Sequence, residues 1–160
     1  MDEILAIILK DTYSLSQLKT RLRILKSNLL KTFFGNSEED VPITVPDLSW
    51  LKSLPAEFYQ RFNKDNVYQT FSNIEKEIPN LKILTIHLAF EPDDITLNQI
   101  SAYARNTFSA SGLLLDIKQD SALIAGAALT WKGVYKDYSL RAKLDTKKGE
   151  ILQEFKKFLR

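Results

Sequence analysis

The hydrophobic period of this chain changes once, near Leu81, and that change limits the folds open to it. Upstream, large apolar residues recur every three or four positions, the spacing of one helix face. Downstream, they alternate or run together in short stretches bounded by Gly and Pro, the spacing of strands. A first half of helices and a second half containing strands predicts an α+β fold: an N-terminal helical bundle over 1–80, followed by a small β-α-β-β-α domain over 81–160.

The helical half opens with a short apolar helix over 2–10. Ser14 and Gln17 make a capping box, in which each side chain can satisfy a free backbone N–H of the other's segment. Leu15, Leu18, Leu22, Leu25 and Leu29 then form one stripe of a helix reaching about Phe34, with Lys19, Arg21, Arg23 and Lys26 largely off it. Gly35 and Asn36 are stop signals. The polar stretch 36–46 contains Pro42 and Pro46 and reads as a loop. Helical spacing resumes after Asp47, a potential cap, with Leu48, Leu51 and Leu54. Pro55 restarts a helix through Phe58 and Phe62, and another runs from about Asn66 to Ile78, with Val67, Phe71, Ile74 and Ile78 on one face, closed by Pro79.

In the second half, 83–90 reads as a strand, with Leu84, Ile86, Leu88 and Phe90 on one face and Thr85 and His87 on the other. Thr96 and Gln99 suggest a second capping box, opening a helix with Leu97, Ile100, Tyr103, Ala104 and Phe108 that ends near Ser111 and Gly112. Strands are expected at 113–117, 123–131 and 134–136, the last two joined by a turn at Gly133. A final helix begins near Tyr138 and carries Ile151, Leu152, Phe155, Phe158 and Leu159 on one side.

Chemistry is sparse. The absence of cysteine excludes disulfides, thiolate metal sites and a cysteine nucleophile. The only histidine, His87, cannot build a His-rich metal site, and its place in a strand suggests packing or surface. Gly126 and Gly133 are isolated, and no phosphate loop or nucleophile elbow surrounds them. Three acidic groups are each read structurally: Glu38, Glu39 and Asp40 as a solvated run, Asp93 and Asp94 as favourable charge at a helix start, Asp116 and Asp120 as flanks of a turn. No catalytic residue, cofactor or metal site is expected. The longest early apolar run, Ile4 to Leu9, is too short to cross a membrane and lacks the flanks of a signal peptide. Any membrane link must therefore come through a partner.

Formal net charge is +2, but it is unevenly placed. From Lys132 to Arg160 there are nine Lys/Arg against four Asp/Glu, a net of +5, which leaves −3 for the rest. A basic C-terminal segment can steer an acidic partner, or can be only a solvated helix face.

Residues 120–144 read DSALIAGAALTWKGVYKDYSLRAKL. This stretch resembles the C-terminal signature of the ATP synthase delta subunit family, the bacterial counterpart of the mitochondrial oligomycin-sensitivity-conferring protein. The matching positions are Asp120, Leu123, Ile124, Gly126, Gly133, Asp137, Ser139, Leu140 and Leu144. The preceding strand, turn and helix fall in the family's order, so the resemblance covers about 82–145. Ser121 and Ala125 depart from the family's Pro and first Gly, and the helical half is shorter than the family's usual bundle.

The resemblance implies a non-catalytic stator: a peripheral-stalk subunit of a bacterial F-type ATP synthase, held through that complex at the cytoplasmic face of the inner membrane. It implies contact with the synthase alpha subunit through the N-terminal helices, with Leu15, Leu18, Leu22 and Leu25 as candidates. It implies contact with the stalk b subunit through the C-terminal domain, with Ile151, Leu152, Phe155 and Phe158 as candidates. Those last four can equally cover the small sheet. Two other readings stand beside it: a stator of a V/A-type ATPase or flagellar export system, and a small nucleic-acid-binding module using Trp131, Tyr135 and Tyr138 among Lys132, Lys136 and Arg141.

Overall fold

The computed structural model describes residues 3–35 and 42–158. The acidic run Glu38, Glu39 and Asp40, the stop signal at Asn36, and residues Asp2 and Leu159 lie outside the described residues.

Among the described residues, five helices and a 3-10 turn precede the first strand: α1 (Glu3–Lys10), α2 (Leu15–Phe34), α3 (Val45–Ser53), α4 (Ala56–Tyr59) and α5 (Val67–Glu77), with the turn at Ile78–Asn80. The start of α2 follows from its cap: Ser14 Oγ accepts from Gln17 N at 3.1 Å, and Gln17 Oε1 accepts from Tyr13 N at 2.8 Å. Gly35 closes it in the left-handed region. At α3 the cap is Thr44, not Asp47. Thr44 Oγ1 donates to the Asp47 carboxylate at 2.6 Å, so the two side chains meet across the first turn and Asp47 sits inside the helix. The segment after Pro55 is helical only to Tyr59.

Apolar faces of these helices make one core. Leu5, Ile8, Leu18, Ile24, Leu25, Phe58, Phe71 and Ile74 are essentially inaccessible. The rings of Phe58, Phe62 and Phe71 form a chain, with centroids 5.4 and 5.9 Å apart.

The second half adds β1 (Ile83–Leu88), α6 (Asp94–Thr107), β2 (Leu114–Gln119), β3 (Ala127–Trp131), β4 (Val134–Asp137) and α7 (Leu140–Phe158). The result is the α+β fold expected from the change of period. The sheet order is β2-β1-β3-β4. β1 and β2 are parallel, which requires the α6 crossover, and β3 is antiparallel to both β1 and β4. Leu84, Ile86 and Leu88 of β1 face α6 and form a second core with Leu115, Ala104, Ala110 and Leu113.

Two boundaries differ from the sequence expectation for physical reasons. Helix α6 starts at Asp94 because Asp93, a carboxylate, accepts from Thr96 N at 2.8 Å and takes the capping position assigned to Thr96. Strand β3 begins at Ala127 because the preceding residues are spent on a turn and on Gly126, whose φ of +89° cannot continue a strand.

The two cores meet along β2. Leu114 belongs to the helical core and Leu115, its neighbour, to the sheet core, because consecutive strand residues face opposite ways. On the side of β2 away from β1, Leu115 N donates to Tyr13 O at 2.9 Å. Arg105 of α6 fastens the joint. Its Nη2 donates to Thr12 O at 2.6 Å and Leu9 O at 3.4 Å, and its Nε to Leu113 O at 3.1 Å.

Candidate partner-binding site

The residues that carry the family resemblance form a clasp at the start of α7. Asp120 opens it: its N donates to Leu88 O at 2.8 Å, and its Oδ1 accepts from Ala122 N at 2.9 Å. Leu123 N donates back to Asp120 O, and the Leu123 side chain is buried. The chain then runs alongside the segment that leaves β4. Tyr138 N donates to Ala127 O at 2.9 Å and Leu140 N to Ala125 O at 2.8 Å. Gly126 lies between these two bonds. A Cβ there would stand 2.7 Å from Tyr138 O and 3.0 Å from Ser139 Cα, so both the close approach and the positive φ require glycine.

Asp137 and Ser139 finish the clasp. Ser139 N donates to Asp137 Oδ1 at 2.8 Å, and Ser139 Oγ accepts from Ala142 N at 3.2 Å, capping α7. The hydrogen bonds from Ser139 hold the Asp137 carboxyl below its ordinary range. Gly133 makes the β3–β4 turn at φ +78°. Every one of these positions fixes where α7 leaves the sheet, except Ile124 and Leu144, which are exposed.

From that anchor α7 runs 19 residues, roughly 28 Å at helical rise. None of its side chains is buried; Ala142 alone is half-buried. Ile151, Leu152, Phe155 and Phe158 therefore do not cover the sheet, and Phe158 is 91% exposed. With helical spacing of roughly 100° per residue, Leu140, Leu144, Ile151, Phe155 and Phe158 fall within about 60° of arc, and Leu152 borders them. Six Lys/Arg and three Asp/Glu occupy other positions of the helix. Exposed Val134, Tyr135 and Tyr138 lie at and just after β4, the outer strand of the sheet. A contiguous apolar patch of this kind marks an interaction surface. A lone helix draws no tertiary stabilisation, and Gly149 in its interior weakens it further.

The candidates on α2 stand differently. Leu18, Leu22 and Leu25 are buried in the helical core, and Leu15 packs partly against it. A partner cannot reach them without displacing neighbouring helices. The exposed apolar residues of this half are others: Ile43, Val45 and Leu48 around the start of α3, and Phe34 with Tyr68, whose rings are 6.2 Å apart. Sequence spacing groups Leu48 with Leu51 and Leu54, but the fold buries only the last two and leaves Leu48 exposed.

Of the aromatic and basic residues near the hairpin, Tyr135 and Tyr138 are exposed, and Lys132 Nζ lies 5.7 Å from the Trp131 ring centroid. Trp131 packs on Phe108 at 4.8 Å. Asp116 faces Thr85 at 3.5 Å and Lys118 at 3.8 Å, apart from Asp120. His87 lies half-buried in β1, level with Lys118 and Ala128. An open cleft of about 720 Å³ lies where α2, α3 and α6 begin, bordered by Asp47, Phe90, Glu91 and Asp94. Among the described residues, no helix is long and apolar enough to cross a membrane. No protein-family model and no curated protein sequence matches the chain.

Proposed function

We propose that the chain is a non-catalytic peripheral-stalk subunit of a bacterial F-type ATP synthase, peripheral on the cytoplasmic side of the inner membrane. The observation that carries this reading is the uncovered apolar helix α7, aimed by a clasp made of the residues that resemble the delta signature. In this role α7 docks on the helices of the stalk b subunit through Ile151, Leu152, Phe155 and Phe158. Burying one such side chain contributes about 1.5–3 kcal/mol, so a few of them suffice for a specific contact.

The other contact, to the alpha subunit of the catalytic head, falls to the helical half. Because the Leu18, Leu22 and Leu25 stripe is consumed by the core, we assign it to exposed Val45 and Leu48 and to Phe34 with Tyr68. A stator transmits load between these two ends. Leu114 and Leu115 of β2, each in a different core, and the hydrogen bonds of Arg105 tie the helical half to the sheet. No catalytic group or cofactor is needed for this work.

The test is recovery from native membranes. A tagged chain, solubilised mildly, should bring with it the alpha and b subunits, identified by mass spectrometry. Recovery without either subunit overturns the proposal.

A further inference from the structure

A second surface property of α7 concerns what covers its stripe when no stalk is present. The flank beside the stripe carries charges in a defined order: Lys143 and Lys147 in the first half of the helix, Glu150 and Glu154 in the second. At roughly 100° per residue, all four fall on one side, within about 60° of one another. In an antiparallel pair of identical helices, a flank meets the same flank of the other copy, as matching edge positions do in antiparallel coiled coils. A two-fold axis near Gly149 sets Lys143 opposite Glu154 and Lys147 opposite Glu150, both in the same register. By symmetry each pair forms twice.

The apolar residues obey that register too. It sets Phe158 of one copy at the level of Leu140 of the other, and Phe155 at the level of Leu144. Exposure decreases along the helix in the complementary sense. Phe158 and Phe155 are 91% and 65% exposed, while Leu140 and Leu144 at the clasp are 42% and 43% exposed. The most exposed end of one helix would therefore reach the base of its partner, where the sheet domain adds surface.

We infer that the free chain forms an antiparallel homodimer through α7, a second copy occupying the stripe in the register set by Lys143–Glu154 and Lys147–Glu150. Self-pairing is isologous and closes on itself, so it stops at two copies. The intrahelical contact of Lys157 with Glu154 at 2.8 Å is on the solvent side and is shared with Lys143 of the other copy. The inference goes beyond the stator reading and does not depend on it, because it rests on α7 alone.

Sedimentation equilibrium of the full chain tests it. The apparent mass should rise with concentration from 18.4 kDa toward twice that value. The double variant Lys143→Glu with Lys147→Glu turns four attractions into repulsions and should weaken self-association by about tenfold or more. Glu150→Lys with Glu154→Lys should do the same. Mixing these two variants should restore dimers, now heterodimers, and the quadruple charge exchange should restore homodimers. A chain that is monomeric throughout overturns the inference, as does a dimer insensitive to the charge reversals. Circular dichroism and urea unfolding of each variant separate loss of pairing from loss of fold.

Discussion

Replacing Gly126 with alanine should be the most damaging of three chemically identical substitutions. At Gly126 the added methyl meets backbone: Tyr138 O at 2.7 Å and Ser139 Cα at 3.0 Å, at a φ of +89°. Neither neighbour can swing aside as a flexible side chain would. Adopting the conformation costs about 1–3 kcal/mol for a residue with a Cβ. Relieving the contact must also stretch the bonds from Tyr138 N to Ala127 O and from Leu140 N to Ala125 O, each worth about 0.5–1.5 kcal/mol. The sum is roughly 4 kcal/mol, which for a chain of this size lowers Tm by roughly 8–16 °C.

Gly133→Ala places its methyl in open space at φ +78°, so only the conformational cost applies, about 1–2 kcal/mol. Gly149→Ala sits in an exposed helix with open space around it and should gain about 1 kcal/mol of helix stability. Urea unfolding followed by fluorescence of Trp50 and Trp131 reads the first two as shifts in midpoint at constant slope. Circular dichroism reads the third as added helicity. If Gly126→Ala costs no more than Gly133→Ala, the clasp does not have the geometry described.

Arg105→Met should cost about 2–4 kcal/mol, because it removes the guanidinium donor from the carbonyls of Thr12 and Leu113, while Leu9 O keeps Thr12 N; urea unfolding reads this, and Arg105→Lys should fall between Met and wild type. Removal of 145–160 should leave the unfolding free energy of the remainder within about 0.5 kcal/mol when compared at a concentration where the full chain is monomeric, since no α7 side chain is buried; a larger loss would mean that α7 packs on the body. Asp93 and Asp137 both have carboxyls held low by hydrogen bonds, to Thr96 and Ser139 respectively. Their stabilisation is present above the unfolded value of about 3.9 and is lost as pH falls through the lower folded values. Asp93→Asn with Asp137→Asn keeps both caps and should flatten the acid limb of the stability–pH profile; an unchanged limb would refute the assignment.

The parts of the fold written in short-range pattern were legible from the residues. The Ser14–Gln17 cap, the Leu18–Leu29 stripe, the Gly35 stop and the Gly133 turn each rest on a few neighbouring positions, and each appears where the pattern put it. Competition between nearby caps was not legible: Asp93 outbids Thr96, and Thr44 displaces Asp47, because the winner depends on loop path. Long-range choices were hidden as well. Arg21 reads as a surface cation, yet it is buried, with its guanidinium 4.8 Å from the Trp50 ring and Nη1 donating to Asp11 O at 2.6 Å. Burial holds its pKa below the ordinary value. Arg105 joins segments more than ninety residues apart, which no local pattern encodes.

The candidate site divides along the same line. That the last helix carries an apolar side is plain from Ile151, Leu152, Phe155 and Phe158; that Leu140 and Leu144 extend it follows from where α7 begins. That none of its side chains is buried among the described residues is a property of how the clasp aims the helix, and only the fold reveals it. Leu18, Leu22 and Leu25 show the converse: an equally good stripe, entirely consumed by the core.

The stator reading is tested most directly by coupling. Inside-out membrane vesicles from cells lacking this chain are supplied with ATP, and hydrolysis and proton uptake are measured together. The account predicts hydrolysis with little proton uptake, and recovery of uptake on adding back purified wild-type chain or Gly133→Ala. Phe155→Asp, folded but with its stripe broken, should restore little. Proton uptake that is unchanged in the vesicles lacking the chain would contradict the account.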